Sequence, residues 1–191
     1  MRLFTAICLD HVLQQQLAEI IEKLKAQGVR GNFTRPENLH LTLCFIGETG
    51  RLDAAARAVR SLEGNIAFSL ETTRLGWFRR SGGSICYLAC KESKALSELQ
   101  KKLDTALRRE DFRMENRSFR AHLTLGREVI LPEDFDERAF SASLPRLIIP
   151  VEKVSLMKSE RRNGRLCYTE MMSRALWKPP MTPHSTGGEP L

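Results

Sequence analysis

The chain spells the same four residues twice, His40-Leu41-Thr42-Leu43 and His122-Leu123-Thr124-Leu125, with the histidines 122 − 40 = 82 positions apart. A specified tetrapeptide of this kind arises by chance at roughly one position in a hundred thousand. Two copies therefore mark something built in duplicate. Side chains alternate faces along a β-strand, so each copy presents a histidine and a threonine on one face and two leucines on the other. One face is available for chemistry while the other anchors the strand.

The sequence around the copies repeats an order. Residues 3–9 read as a buried strand, and Asp10 caps a helix whose apolar positions Leu13, Leu17, Ile20, Ile21 and Leu24 follow helical spacing until Gly28 stops it. The first copy reads as a strand over 39–46, ended by Gly47, and an alanine-rich helix follows over 52–62. Segments 66–70, 75–78 and 85–90 read as antiparallel strands, with Gly82-Gly83 turning the chain. A third helix over 93–109, with Leu96, Leu99, Leu103 and Leu107 on one stripe, leads into the second copy. Strand, helix and His strand thus occur twice. Residues 131–145 read as loop, and strands over 147–158 and 166–172 flank a basic turn, Arg161 to Arg165. The pattern predicts an α+β fold of antiparallel sheets with helices on their outer faces and an approximate internal twofold. Residues 178–191, with four prolines and two glycines, read as a disordered tail, and His184 falls within it.

A chain of 191 residues can bury a substantial core without disulfides or metals. Lys and Arg exceed Asp and Glu by 30 to 23, a net charge of +7 that favours anionic partners, nucleic acid foremost, or simply a solvated basic surface. Cys8, Cys44, Cys86, Cys90 and Cys167 form no Cys-x-x-Cys pair and read as reduced thiols of a cytoplasmic protein. The charge at Arg2 and the short apolar run before Asp10 do not suit a signal peptide, and no apolar stretch is long enough for a membrane span.

Two imidazoles facing one cleft make an acid and base pair near neutral pH, which is what phosphoester displacement needs: one accepts a proton from the attacking oxygen, the other donates to the departing one. Thr42 and Thr124, two residues beyond each histidine, can donate hydroxyl hydrogen bonds to a phosphate oxygen. Metal binding is disfavoured, because only two histidines are plausible ligands and no carboxylate stands at ligand spacing. No Gly-rich phosphate loop or nucleophilic Ser or Cys motif competes, and no cofactor is implied.

Over residues 2–177 the chain resembles the two-histidine phosphoesterases, specifically the LigT-like RNA 2′,3′-cyclic phosphodiesterases once called 2′-5′ RNA ligases. The resemblance rests on Arg2-Leu3-Phe4 and Ala6-Ile7, on Arg35-Pro36-Glu37-Asn38-Leu39 leading into the first motif and Cys44-Phe45-Ile46-Gly47 beyond it, and on Ser118-Phe119-Arg120-Ala121 before the second motif and Gly126-Arg127 after it. Ala121 stands where family members often have proline. The resemblance implies a bilobal domain over residues 1–177 with a pseudo-twofold cleft between two sheets. It also implies metal-independent opening of an RNA 2′,3′-cyclic phosphate to a 2′-phosphate. His40 would protonate the leaving O3′, His122 would activate water, and Thr42 and Thr124 would hold the phosphate, although the residues alone leave the two roles interchangeable. Arg127 and Phe45 match family positions near the substrate, for phosphate pairing and base stacking. Strict alternation, however, places Phe45 opposite His40, in the core with Leu41 and Leu43. Other readings are a non-catalytic RNA or nucleotide binder and 2′-5′ ligation at the same site. A monomer is expected, since one chain supplies both motifs.

Overall fold

The computed structural model describes residues 1–178. The expectation of a disordered tail at 178–191, His184 included, otherwise lies outside the described residues. Nine strands and four α-helices follow one another as β1 (Arg2–Cys8), α1 (His11–Ala26), β2 (Arg30–Phe33), β3 (His40–Glu48), α2 (Leu52–Arg60), β4 (Phe68–Phe78), β5 (Ser84–Cys90), α3 (Lys94–Arg109), β6 (His122–Ile130), α4 (Glu137–Ala142), β7 (Ile148–Val151), β8 (Lys153–Arg162) and β9 (Arg165–Ala175). The α+β class is as expected.

Local chemistry accounts for the helices. The Asp10 carboxylate accepts from the Leu13 amide at 2.8 Å, and Gly28 takes φ +79° just beyond α1, where a side chain would be strained. Leu13, Leu17, Ile20, Ile21 and Leu24 are all buried along its inner stripe. Ser93 caps α3, whose four leucines are likewise buried. Buried Ala54, Ala55, Ala56 and Ala58 give α2 the small surface with which it packs on α3, β8 and β9.

The strands expected in separate sheets are hydrogen-bonded into one, in the order β7-β4-β5-β6-β3-β1-β8-β9, with β2 also pairing β6. At its centre the two motif strands β3 and β6 run antiparallel and share a single residue pair, Leu41 with Leu123. Both leucines are fully buried, and burial of this kind is worth about 2–5 kcal/mol against alanine. Several boundaries differ from expectation. Segments 66–70 and 75–78 fuse into one long strand, β4, and the expected 147–158 strand divides at Glu152 into β7, which pairs β4, and β8, which pairs β1. The polar stretch before the first motif contains β2, and the expected loop at 131–145 contains α4, capped by Asp136. A short edge strand and a six-residue helix carry too little apolar periodicity to announce themselves. The basic turn is the tight β8-β9 hairpin, with Asn163 and Gly164 both at positive φ, and Arg162 pairs there with Glu160.

Both motif strands carry a β-bulge at the same place. Along β1, Ala6 pairs with Thr42 but Thr5 pairs with Cys44, leaving Leu43 as an extra residue. Along β5, Tyr87 pairs with Thr124 but Cys86 pairs with Gly126, leaving Leu125 extra. In the first bulge the Cys44 amide donates to the Thr5 hydroxyl at 3.1 Å, so a buried threonine satisfies backbone that the ladder has shed.

Candidate active site

Each motif histidine is the first residue of its strand, and each is anchored in the same way. His40 Nδ1 lies 2.7 Å from the Asn38 carbonyl, and His122 Nδ1 lies 2.7 Å from the Arg120 carbonyl. A carbonyl can only accept, so Nδ1 must carry the hydrogen in both rings, which leaves Nε2 as the nitrogen able to take up a proton. His40 Nε2 is 2.9 Å from Thr42 Oγ1. The Leu41–Leu123 pair aligns His40 with Thr124 and Thr42 with His122, all four on the face away from the two leucines.

The bulges decide what else joins them. An extra residue reverses the alternation beyond it, so Phe45 and Arg127, each five positions past its histidine, return to the histidine face. Phe45 is therefore 39% exposed rather than part of the core, and its ring lies 6.4 Å from that of Phe4, which is itself 5.0 Å from the His40 ring. Arg127 is exposed, and its charge bears on His40, His122 and Tyr168 together. All six residues singled out from the sequence thus converge on one face.

Sequence reasoning missed the aromatic walls. Phe4 and Tyr168 flank His40, the latter edge-on at 5.1 Å, while Phe78 and Tyr87 flank His122 at 5.2 Å each. The chain has only two tyrosines, and each stands against one motif histidine, a compositional signal that was available. Gly76, opposite Tyr87 in the ladder, leaves room for that ring: a β-carbon there would lie 2.3 Å from Tyr87 Cζ. Asn38 was missed as well. Its buried side chain donates to the Leu166 carbonyl at 3.0 Å, which ties the start of β3 to β9 and so brings Tyr168 alongside His40.

Burial pushes the pKa of both histidines below the usual 6.5. At His40 the Asn38 carbonyl opposes the shift, while the positive charges of Arg127 and His122 add to it. At His122 the Arg120 carbonyl opposes, while Arg117 and Arg127 add. A phosphate placed among these groups would reverse the electrostatic part of both shifts. Among the described residues, no cluster of three or more His, Cys, Asp or Glu could hold a metal ion, and no helix is long and apolar enough to cross a membrane.

The fold is one found among solved phosphoesterases. A crystal structure described as a phosphoesterase matches with a TM-score of 0.74 at 25% identity, covering 92% of this chain and 97% of that one. LigT of E. coli, solved with 3′-AMP, matches with a TM-score of 0.73 at 26% identity over the same shares. The family model of the 2′-5′ RNA ligase superfamily matches residues 13–163, and the chain belongs to that family. A relative from Methanothermobacter thermautotrophicus named RNA 2′,3′-cyclic phosphodiesterase is 32% identical over 178 residues, covering 89% of this chain and 96% of its own.

Proposed function

We propose that the protein is a metal-independent, cofactor-free RNA 2′,3′-cyclic phosphodiesterase whose acid and base are His40 and His122. The reading rests on one observation: two imidazoles on a single sheet face are anchored identically through Nδ1, leaving two Nε2 atoms for proton transfer. The names of its relatives and the nucleotide bound to LigT support the substrate class.

In the reaction, a water oxygen attacks phosphorus and loses its proton to neutral His122 Nε2. The bond from phosphorus to O3′ breaks, and protonated His40 delivers its Nε2 proton to that oxygen. Net addition of one water leaves a 2′-phosphate and a free 3′-hydroxyl, and solvent exchange resets the two rings. Thr42, Thr124 and Arg127 hold the non-bridging oxygens, where negative charge accumulates. Phe45 supplies a stacking face for the base. The assignment of acid to His40 and base to His122 follows the family resemblance. The two halves, each carrying one motif, act as pseudo-twofold lobes of one unit over residues 1–177, working as a cytoplasmic monomer.

Hydrolysis of an oligonucleotide 2′,3′-cyclic phosphate is expected to persist in EDTA and to fall about 10²- to 10⁴-fold in His40→Ala and in His122→Ala. Full activity in either variant removes the two-histidine mechanism. Saturable binding without turnover by the intact protein would make it a phosphate-binding protein instead, and a product carrying a 3′-phosphate would reverse the leaving group.

A further inference from the structure

The segment joining α3 to β6 delivers a residue that neither motif contains. Arg117 extends its guanidinium over the exposed Phe45 ring, 5.9 Å from the ring centroid, so a side chain preceding the second motif covers one that follows the first. Its place over Phe45 puts it on the histidine face, and its charge adds to the lowering of the His122 pKa that burial begins. Among the described residues Arg117 is otherwise held only by an exposed ion pair with Glu115, a contact worth about 0–1 kcal/mol.

We propose that Arg117 is a specificity-determining residue: with Phe45 it forms a two-sided slot that grips the nucleobase attached to the cyclic-phosphate ribose. The proposal rests on the phosphodiesterase reading above for its substrate class. A ring stacked between two π faces needs about 7 Å between them, twice an ordinary carbon contact. The guanidinium, 5.9 Å from the Phe45 centroid, need withdraw only slightly, and its side chain is 64% exposed and weakly tethered. A planar guanidinium stacks on any base, so the slot selects for the presence of a base rather than its identity. It would favour nucleotides over baseless cyclic phosphates.

The test compares binding of adenosine 2′-monophosphate and inorganic phosphate to the full chain by calorimetry, alongside kcat/KM on adenosine 2′,3′-cyclic phosphate and on the cyclic phosphate of the sugar lacking its base. Arg117→Ala is expected to lower affinity for adenosine 2′-monophosphate about 10-fold, within the range for one base–side chain stack, with inorganic phosphate nearly unaffected. Arg117→Lys, which keeps the charge and loses the plane, should resemble the alanine variant on the nucleotide. Equal losses for nucleotide and phosphate, or full rescue by lysine, would reduce Arg117 to a charge and overturn the slot. Absence of hydrolysis by the unsubstituted protein would remove the phosphodiesterase reading, while the binding comparison would still decide the slot.

Discussion

His40 and His122 carry the same motif, yet their surroundings differ in ways that matter for proton transfer. His40 Nε2 is within hydrogen-bond reach of Thr42, whereas no partner of His122 Nε2 is found among the described residues. Both rings are held below pH 6.5 in the free protein, because burial and neighbouring cations disfavour the imidazolium. A base must be neutral, above its pKa, and an acid must be charged, below its pKa. The profile of kcat/KM is therefore expected to be a bell lying below pH 6.5 and falling toward pH 8, while that of kcat moves to higher pH, because bound phosphate favours the charged rings. Steady-state rates across pH 5–8 check this, and a flat profile excludes the division of labour. The histidines and threonines were legible because a repeated tetrapeptide needs no tertiary information. The places of Phe4, Tyr168, Phe78, Tyr87 and Arg117 were not, because strand pairing and a crossing segment bring them in from distant sequence, and Asn38, only two residues before His40, shows its part only through its carbonyl contact with that ring and its hydrogen bond to Leu166.

The two bulges convert strand alternation into site geometry. Counting faces along β3 places Phe45 in the core, and the count fails because Leu43 is an extra residue. Nothing in the letters of the first copy reveals this, although Gly126 in the second is the kind of strand glycine that often accompanies a bulge. Thr5 explains how the first bulge persists: its hydroxyl accepts from the Cys44 amide inside a fully buried environment. Thr5→Val keeps the shape and orphans that amide, so it is expected to cost about 1–3 kcal/mol. It should also raise KM for base-bearing substrates by loosening Phe45. Denaturant midpoints and steady-state kinetics measure the two effects, and unchanged stability would show that the bulge does not depend on the hydroxyl. The second bulge, where Cys86 replaces Thr5 in the corresponding pairing, must persist without that contact.

The lowered histidine pKa values also tie stability to pH across the whole protein. Between the folded values and 6.5 the unfolded chain binds more protons than the folded one, so stability falls as pH drops through that window and levels off below it. The ion-paired carboxylates Glu110 and Glu160, lowered from 4.5, add losses only at more acid pH, which leaves pH 5–6.5 to the histidines. The melting temperature is expected to fall from pH 7 to 5 in buffer, and inorganic phosphate should diminish that fall. A melting temperature that rises on acidification would contradict the burial of the two rings. The division of the 147–158 segment at Glu152 has another consequence. Strands β4 to β7 sit within the chain between β3 and β8, so, β2 on β6 apart, one half of the sheet is contiguous and the other is made from strands before and after it. A ribosome therefore releases everything around His122 before it releases Tyr168, the last wall of His40. The surroundings of one motif histidine are thus complete in the growing chain before β9 brings the last aromatic neighbour of the other.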